Sequence, residues 1–552
     1  MISRNLIVGA VAIAGASASA FAGGVVPPQP KAGLPLPNLS TAQLALFETG
    51  KNLFQHPLEV GEGLGPIFNK AGCMSCHANP LGGWGTITVS HFGMDKEGEF
   101  ILYPGEVQSL AQAFANSEGC KEIIPTDATV NAIRVTNSSL AFGMIEAIPD
   151  ADISANADDL DANGDGISGR VHWVEALEAP GVTRAGRFGW KAQVATTLTF
   201  TGDASRNEMG LTNRLVPSEN PPNGNYALLA QCDTVSDPED VPDAEGLAFI
   251  DRVTAFQRYL GVPPQTPRSG MNGETLFNSI GCGACHVAEW TTGNDASLES
   301  ALRGKVIRPY SDFLLHDMGL LADGIQQGDA NESEFRTPVL WNLRTRDPML
   351  HNGSASGSDF NIRIRAAITA HGPFGEGAGS AAAFASLTSQ QQQQVVNFLD
   401  SLGRLDFDAD GDGHVDMNDL PGLRSCYTQQ TTNPDDACAV ADVDQDGDVD
   451  PADLQSFLMA YEGEAGDCNT NGVEDAIDII TSASTDADYD GVPDECGSCT
   501  GDIDGDGAVG GLDLALLLAA WGSADPAADL DDSGDVGGKD LALIMAAWGD
   551  CP

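Results

Sequence analysis

Phe68-Asn69-Lys70-Ala71-Gly72-Cys73-Met74-Ser75-Cys76-His77 and Phe277-Asn278-Ser279-Ile280-Gly281-Cys282-Gly283-Ala284-Cys285-His286 are two copies of one ten-residue pattern. Each ends in C-x-x-C-H. Two thiols three positions apart can each add to one vinyl group of a haem, and the adjacent His then lies under the iron. This spacing is the attachment signature of c-type haem, and the axial ligands set the chemistry of the iron. A lone motif can also be half of a zinc site, but a second ligand pair must then follow at short spacing, and none does. The shared Phe-Asn-x-x-Gly lead-in marks an internal duplication, with an apolar helical turn entering each haem loop in the same way. Two covalently bound c-type haems are therefore expected, one on Cys73, Cys76 and His77 and one on Cys282, Cys285 and His286.

Each iron has a sixth position. In the first half, the Gly-rich stretch Leu81-Gly-Gly-Trp84-Gly lets the chain turn back, and His91 and Met94 follow it. In the second half the candidates are His316, His351 and His371. Spacing alone does not choose among them.

The chain has 552 residues, enough for two or three domains. It opens with Arg4, a short apolar run from Leu6 to Ala14, and small residues ending Ala-Ser-Ala-Phe-Ala, the arrangement of a secretory signal peptide over residues 1–22. Export to the periplasm, the cell surface or beyond follows as an expectation. No stretch of the mature chain is long and apolar enough to span a bilayer. Twelve cysteines are present; the eight outside the two motifs are an even number, as disulfides require. Cys120 is expected to pair with Cys232, and the other six within the C-terminal part. Net charge is −52, which disfavours nucleic acid and anionic membranes as partners.

That charge is concentrated after Leu405, where 36 acidic residues stand against 2 basic ones. Asp408, Asp410, Asp412, Gly413 and Asp419 have the spacing of a calcium loop. Asp442, Asp444, Asp446, Gly447 and Asp453 repeat it, as do Asp502, Asp504, Asp506, Gly507 and Asp513. A fourth copy has Asp529, Asp531, Ser533, Gly534 and Asp540, and looser copies begin at Asp467 and Asp486. Two copies run into matching apolar helices, Asp513 to Gly522 and Asp540 to Gly549. A calcium loop followed by one helix, duplicated, resembles dockerin modules, which implies calcium and a cohesin-like or cell-surface partner; a calcium-stiffened spacer is the plainer reading.

From about residue 40 to 404 the chain resembles the bacterial di-haem oxidoreductases related to di-haem cytochrome c peroxidases. The likeness is carried by Ile145-Glu-Ala-Ile-Pro-Asp150, Asp161-Ala-Asn-Gly-Asp-Gly-Ile-Ser-Gly-Arg170, Gly186-Arg-Phe-Gly-Trp-Lys-Ala192 and Asn207-Glu-Met-Gly-Leu-Thr212. Tyr310 to Gly319, Glu334 to Trp341 and His351-Asn-Gly353 complete it. The resemblance implies His371 as the sixth ligand of the second haem, where relatives have Met, and His91 as a displaceable ligand of the first. It also suggests Glu146 as an acid near an opened first iron, a salt-bridged carboxylate being the alternative. Trp190 is suggested as an electron relay, a core Trp being the alternative. Asp161, Asn163 and Asp165 are suggested as a calcium loop, an exposed turn being the alternative.

The expected architecture is mainly α: a first cytochrome c-like haem domain over 23–265, a second over 266–404, both with long loops, and small EF-hand-like or dockerin-like calcium modules over 405–552. The expected function is an exported haem-dependent oxidoreductase, peroxidase-like. It would draw electrons from a small redox donor protein or a quinol-linked cytochrome, through the second haem to the first. The competing readings are an electron carrier without turnover and a calcium-dependent assembly protein.

Overall fold

The computed structural model describes residues 26, 29–268, 270–427, 437–463, 466–469, 471–487, 489, 491–496, 501–504, 508–531 and 533–550. The expected signal peptide, Asp506, Cys499 and Cys551 lie outside the described residues.

Each attachment motif hangs from a crossed pair of helices. Helix Thr41–Gln55 starts at a capping box, with the Gln43 N–H donating to Ser40 Oγ and the Ser40 N–H to Gln43 Oε1. It crosses helix Phe249–Tyr259 at Gly50, where a Cβ would stand 2.0 Å from the Arg252 carbonyl oxygen. One turn on, Phe54 packs on Phe256 with ring centroids 4.8 Å apart and faces the His77 imidazole at 6.1 Å. In the second half, helix Asn272–Ser279 crosses helix Ser389–Ser401 at Gly273, again 2.0 Å short of a carbonyl oxygen, that of Gln394. Phe277 then packs on Phe398 at 5.4 Å and faces His286 at 6.0 Å.

The duplication is therefore present in space, but in another frame from the one the repeated residues suggest. The counterpart of Phe277 is Phe54. Phe68 lies in the two-residue strand Ile67–Phe68, paired with Phe114–Ala115, so no helical turn enters the first motif. Gly63-Leu64-Gly65-Pro66 explains this: two glycines and a residue without an N–H break a helix immediately upstream.

The mainly α expectation is corrected. Of the described residues 34% are helical and 11% strand, a mixed fold. Strand Thr88–Lys96 pairs antiparallel with Val130–Val135, Leu110–Ala111 and Glu99–Ile101. His91 sits mid-strand, opposite Ala132 on one side and Leu110 on the other. Thr88, Val89 and Phe92 suit an extended, half-buried strand, and the fold uses that preference beside the first motif. The EF-hand expectation is corrected as well. Each acidic loop leads into a single helix, such as Pro451–Ala460 or Gly538–Ala546. No helix runs directly into a loop from its other end among the described residues, so the helix–loop–helix pair of an EF-hand does not form.

One core joins the two attachment regions: Phe142, Ile148 and Phe188 pack with Trp290, Phe313 and Trp341. Separate clusters lie under the second helix cross and in the tail, the latter around Phe407, Leu420, Phe457 and Ile480. Disulfides link Cys120 to Cys232, Cys426 to Cys438 and Cys468 to Cys496. Among the described residues no helix is long and apolar enough to cross a membrane.

Candidate functional site

The two motifs fold alike. In each, a single helical turn begins at the first Cys (Cys73–Ser75, Cys282–Ala284), and the His N–H donates back to that residue's carbonyl at 3.0 Å. His77 Nδ1 donates to the Gly83 carbonyl at 2.9 Å, and His286 Nδ1 to the Tyr310 carbonyl at 2.9 Å. Such a bond fixes the tautomer and leaves Nε2 as the ligating atom. Burial keeps both rings neutral, lowering His77 below the usual range and His286 to about 4, as ligation requires. The four motif cysteines are unpaired.

Beside the first motif lies a cavity of about 240 Å³. Phe54, Leu140, Phe142, Phe188 and Phe200 supply its apolar wall, and His91 faces it from the sheet. His91 is buried, with Nδ1 2.9 Å from Ser109 Oγ. Burial, helped by Arg134 and Lys191, holds it well below the usual histidine range and hence neutral. Met94 does not line this cavity. Gln108 does, and its buried amide nitrogen has no partner. A second opening, of about 450 Å³, shares His91, Gln108, Leu110 and Gln327 with the lining of the first cavity.

The second cavity measures about 170 Å³ and takes its apolar wall from Phe277, Leu340, Met349, Ile364 and Leu399. The structure sorts its three histidines. His316 has Nε2 2.8 Å from Asp312 Oδ2 and Nδ1 2.5 Å from Glu376 Oε2. These acceptors overcome the burial that alone would lower it and raise it to about 12. Its imidazolium has no free nitrogen for a metal. His371, which caps helix Phe360–Ala370, donates Nδ1 to the Ala367 carbonyl at 2.8 Å, the arrangement of His77 and His286. His351 stacks on Phe335 at 4.0 Å, and its buried Nε2 has no partner.

Trp190 and Arg336 line both cavities. The Trp190 indole donates to the Val135 carbonyl at 2.9 Å. Arg336 braces the Trp190 segment, its backbone N–H donating to the Trp190 carbonyl at 2.8 Å and its Nε to the Gly189 carbonyl at 2.9 Å. Arg346 lies with its guanidinium 5.2 Å from the Trp190 ring centroid. It lines the second cavity, and its buried Nε and Nη2 have no partner. Orphaned guanidinium nitrogens beside a mostly apolar cavity suit the carboxylates of a haem. With the free thiols and the oriented imidazoles, the residues fit the cofactor.

Glu146 lines neither cavity. Its carboxylate accepts from the Thr197 N–H at 2.8 Å and from Arg258 at 2.9 Å. Asp161 is half-buried and Asn163 and Asp165 are exposed; Asp161 Oδ2 accepts from the Gly166 N–H at 3.1 Å, and its buried Oδ1 has no partner among the described residues. The tail loops share one geometry. The last Asp of each, Asp419, Asp453, Asp513 or Asp540, accepts from the N–H of the loop's second residue at 2.6–2.8 Å. Asp408, Asp410 and Asp419 each bring a carboxylate oxygen within 4.8 Å of the others, and so do Asp442, Asp444 and Asp453. Asp412 and Asp446 stand at the loop exteriors, with Asp412 N–H on Asp410 and Asp446 N–H on Asp444. In the third copy the Asp504 N–H also reaches Asp513, and in the fourth Ser533 N–H donates to Asp529 and Asp531.

Residues 111–402, just over half of the chain, match the family model described as "Di-haem oxidoreductase, putative peroxidase". The chain belongs to this di-haem oxidoreductase family. The di-haem oxidoreductase is thus a haem enzyme; its first motif, Cys73 to His77, lies ahead of the matched stretch. Two solved structures are similar at low identity. One, described as a "MauG-like protein associated with microbial copper homeostasis", is 16% identical over 68% of this chain and 93% of its own, with a TM-score of 0.29. The other, hydrazine synthase of Kuenenia stuttgartiensis, is 12% identical over 72% of this chain and 100% of its own, also at 0.29. No curated protein matches the chain.

Gln108, Arg134, Gln327 and Arg346 carry no signal as site residues in the sequence; Arg336 stands in the Glu334 to Trp341 stretch that resembles the family.

Proposed function

We propose that this di-haem oxidoreductase reduces peroxide at the first cavity, with electrons entering on the side of the second cavity and passing Trp190. The observation that carries this reading is the opening that shares His91, Gln108 and Gln327 with the lining of the first cavity: a small polar substrate has a polar route to that side. Haem, when bound, supplies the one-electron chemistry. Peroxide takes up two electrons and two protons and leaves as two waters. His91, kept neutral by burial, presents an unprotonated imidazole beside the first cavity. The unpartnered Gln108 amide can donate to a peroxide oxygen. Trp190, fixed by its bond to Val135, keeps an aromatic ring between the two cavities.

One observation favours the carrier reading: His91 and His371 both face their cavities, so each site has a second axial candidate. Visible and EPR spectra of the holoprotein, oxidised and half-reduced, with and without peroxide, separate the two. A haem that turns high-spin on half-reduction and then reacts supports peroxide reduction; two low-spin, unreactive haems at every level mean a carrier.

The same reading includes export, by the N-terminal stretch and in keeping with three disulfides, to the periplasm or cell surface. The donor is a small redox protein or a quinol-linked cytochrome. The acidic tail loops bind calcium, supported by the clustered carboxylates, and the dockerin-like repeats attach the enzyme to a cohesin-like or surface partner. Circular dichroism with excess chelator tests the metal: the tail helices should melt out, and an unchanged spectrum refutes it.

A further inference from the structure

The segment after helix Thr197–Met209 carries an oxygen cluster apart from both cavities and from every acidic repeat. Glu219, Asp237 and Glu239 each bring one carboxylate oxygen within 4.8 Å of the others. Glu219 is only 5% exposed, and among the described residues no N–H or hydroxyl donates to either of its carboxylate oxygens, its neighbour in reach being the Glu239 carboxyl. Thr212 closes one side: its N–H donates to Glu239 Oε2 at 2.7 Å, and its hydroxyl lies 2.5 Å from that atom and 3.1 Å from Asp237 Oδ1.

The charged groups that act most strongly on Glu219 are carboxylates, namely Glu239, Asp237 and Asp233, and Glu239 lies within side-chain hydrogen-bond reach of it. An unpaired buried carboxylate among like charges is strongly unfavourable, so either a bound cation or a proton must accompany it. The donors are all hard oxygens, three of them carboxylates able to bind through one or both atoms, on an irregular loop segment. That combination suits calcium, which takes six to eight oxygens in adaptable geometry, better than metals that prefer nitrogen or sulfur.

We infer that Glu219, Asp237 and Glu239 form a calcium site that clamps the 211–240 segment against the first haem region. The clamp has a wall on that side. Glu239 and Leu211 press on Gly63, where a Cβ would come within 2.8 Å of Glu239 Cβ and 2.5 Å of Leu211 Cδ1. Met209, the residue that ends the preceding helix, lines the first cavity. Cys232, inside the clamped segment, is tied to Cys120. Calcium and the disulfide thus hold one loop at two points. Nothing in this proposal depends on peroxide being the substrate.

The test is a calcium count on the full-length holoprotein, desalted from calcium-containing buffer, for wild type, Glu219→Gln and Asp237→Asn. Tail loops contribute their own calcium to all three, so the difference is what matters. One calcium fewer per chain in both variants, with the tail's helical dichroism unchanged, is the expected result. Asp237 is exposed, so its variant keeps the test alive if Glu219→Gln does not fold. Equal counts in wild type and Asp237→Asn overturn the site and leave a shared proton between Glu219 and Glu239 as the offset.

Discussion

Replacing Gly273 by alanine should loosen the second haem half and leave the first intact. A Cβ there would stand 2.0 Å from the Gln394 carbonyl oxygen and 2.7 Å from Phe398 Cβ, where ordinary contact begins at 3.4 Å. The obstacle is backbone, so no rotamer change relieves it, and the helices must part by about 1.4 Å. Overpacking of this kind costs about 1–3 kcal/mol. Alanine's better helix propensity returns about 1 kcal/mol of that. Taking the upper end, the net loss is about 2 kcal/mol, a fall of roughly 4–8 °C in the melting of that half. Phe398 packs on Phe277, which faces His286, so the second haem's Soret band and potential should shift as well. Melts and redox titrations of the holoprotein, followed haem by haem, provide the assay, with Gly50→Ala as the mirror experiment on the first haem. If either alanine is tolerated within about 0.5 kcal/mol, or both haems respond alike to one change, the paired helix-cross reasoning fails.

Trp190→Phe removes one hydrogen bond, to the Val135 carbonyl, and should cost about 1 kcal/mol of stability. Electron transfer between the haems, read by rapid mixing of half-reduced protein with oxidant, should slow; an unchanged rate removes Trp190 from the route. Arg346→Leu takes a buried positive charge from the second cavity, which should lower that haem's potential. At a separation of roughly 10 Å and an effective dielectric of about 20 the effect is about 1.7 kcal/mol, or up to about 70 mV; a rise in potential would contradict it. His316 titrates near 12 in the folded chain against about 6.5 when free. Its ion pairs therefore stabilise fully below pH 6.5 and fade as pH climbs toward 12. His316→Gln should be less stable than wild type by about 3–5 kcal/mol near pH 6, with the gap narrowing by pH 10 in denaturant titrations; a gap independent of pH speaks against the charge assignment.

The attachment residues were legible because covalent chemistry dictates their spacing: Cys73, Cys76 and His77 need only one another in sequence. The helix crosses behind them were not legible. Gly50 and Gly273 acquire meaning only beside Arg252 and Gln394, about 200 and 120 residues away, and the repeated Phe-Asn-x-x-Gly drew attention to Phe68 instead of Phe54. The mainly α expectation failed on the paired strands Thr88–Lys96 and Val130–Val135, about 40 residues apart in sequence, and on strands of two or three residues, such as Leu110–Ala111 and Leu315–Asp317, too short to show a period. His316 and His371 look equivalent in sequence. They differ only through Asp312 and Glu376 on one and the Ala367 carbonyl on the other. Glu146 reads as a catalytic acid until Arg258, 112 positions on, is placed against it.

The partition formed by Gly189-Trp190 and Arg336 has a consequence for how the enzyme can be altered. A partition one side chain thick is shared property: whatever reshapes it on one face is felt on the other. Trp190 answers to Val135 on the first-cavity side and to Arg346 on the second. An occupant that nudges the indole from either chamber therefore reports to the other without any movement of the helices. The two iron sites should behave spectroscopically as a conversing pair, and a titration of one should leave a trace in the bands of its neighbour.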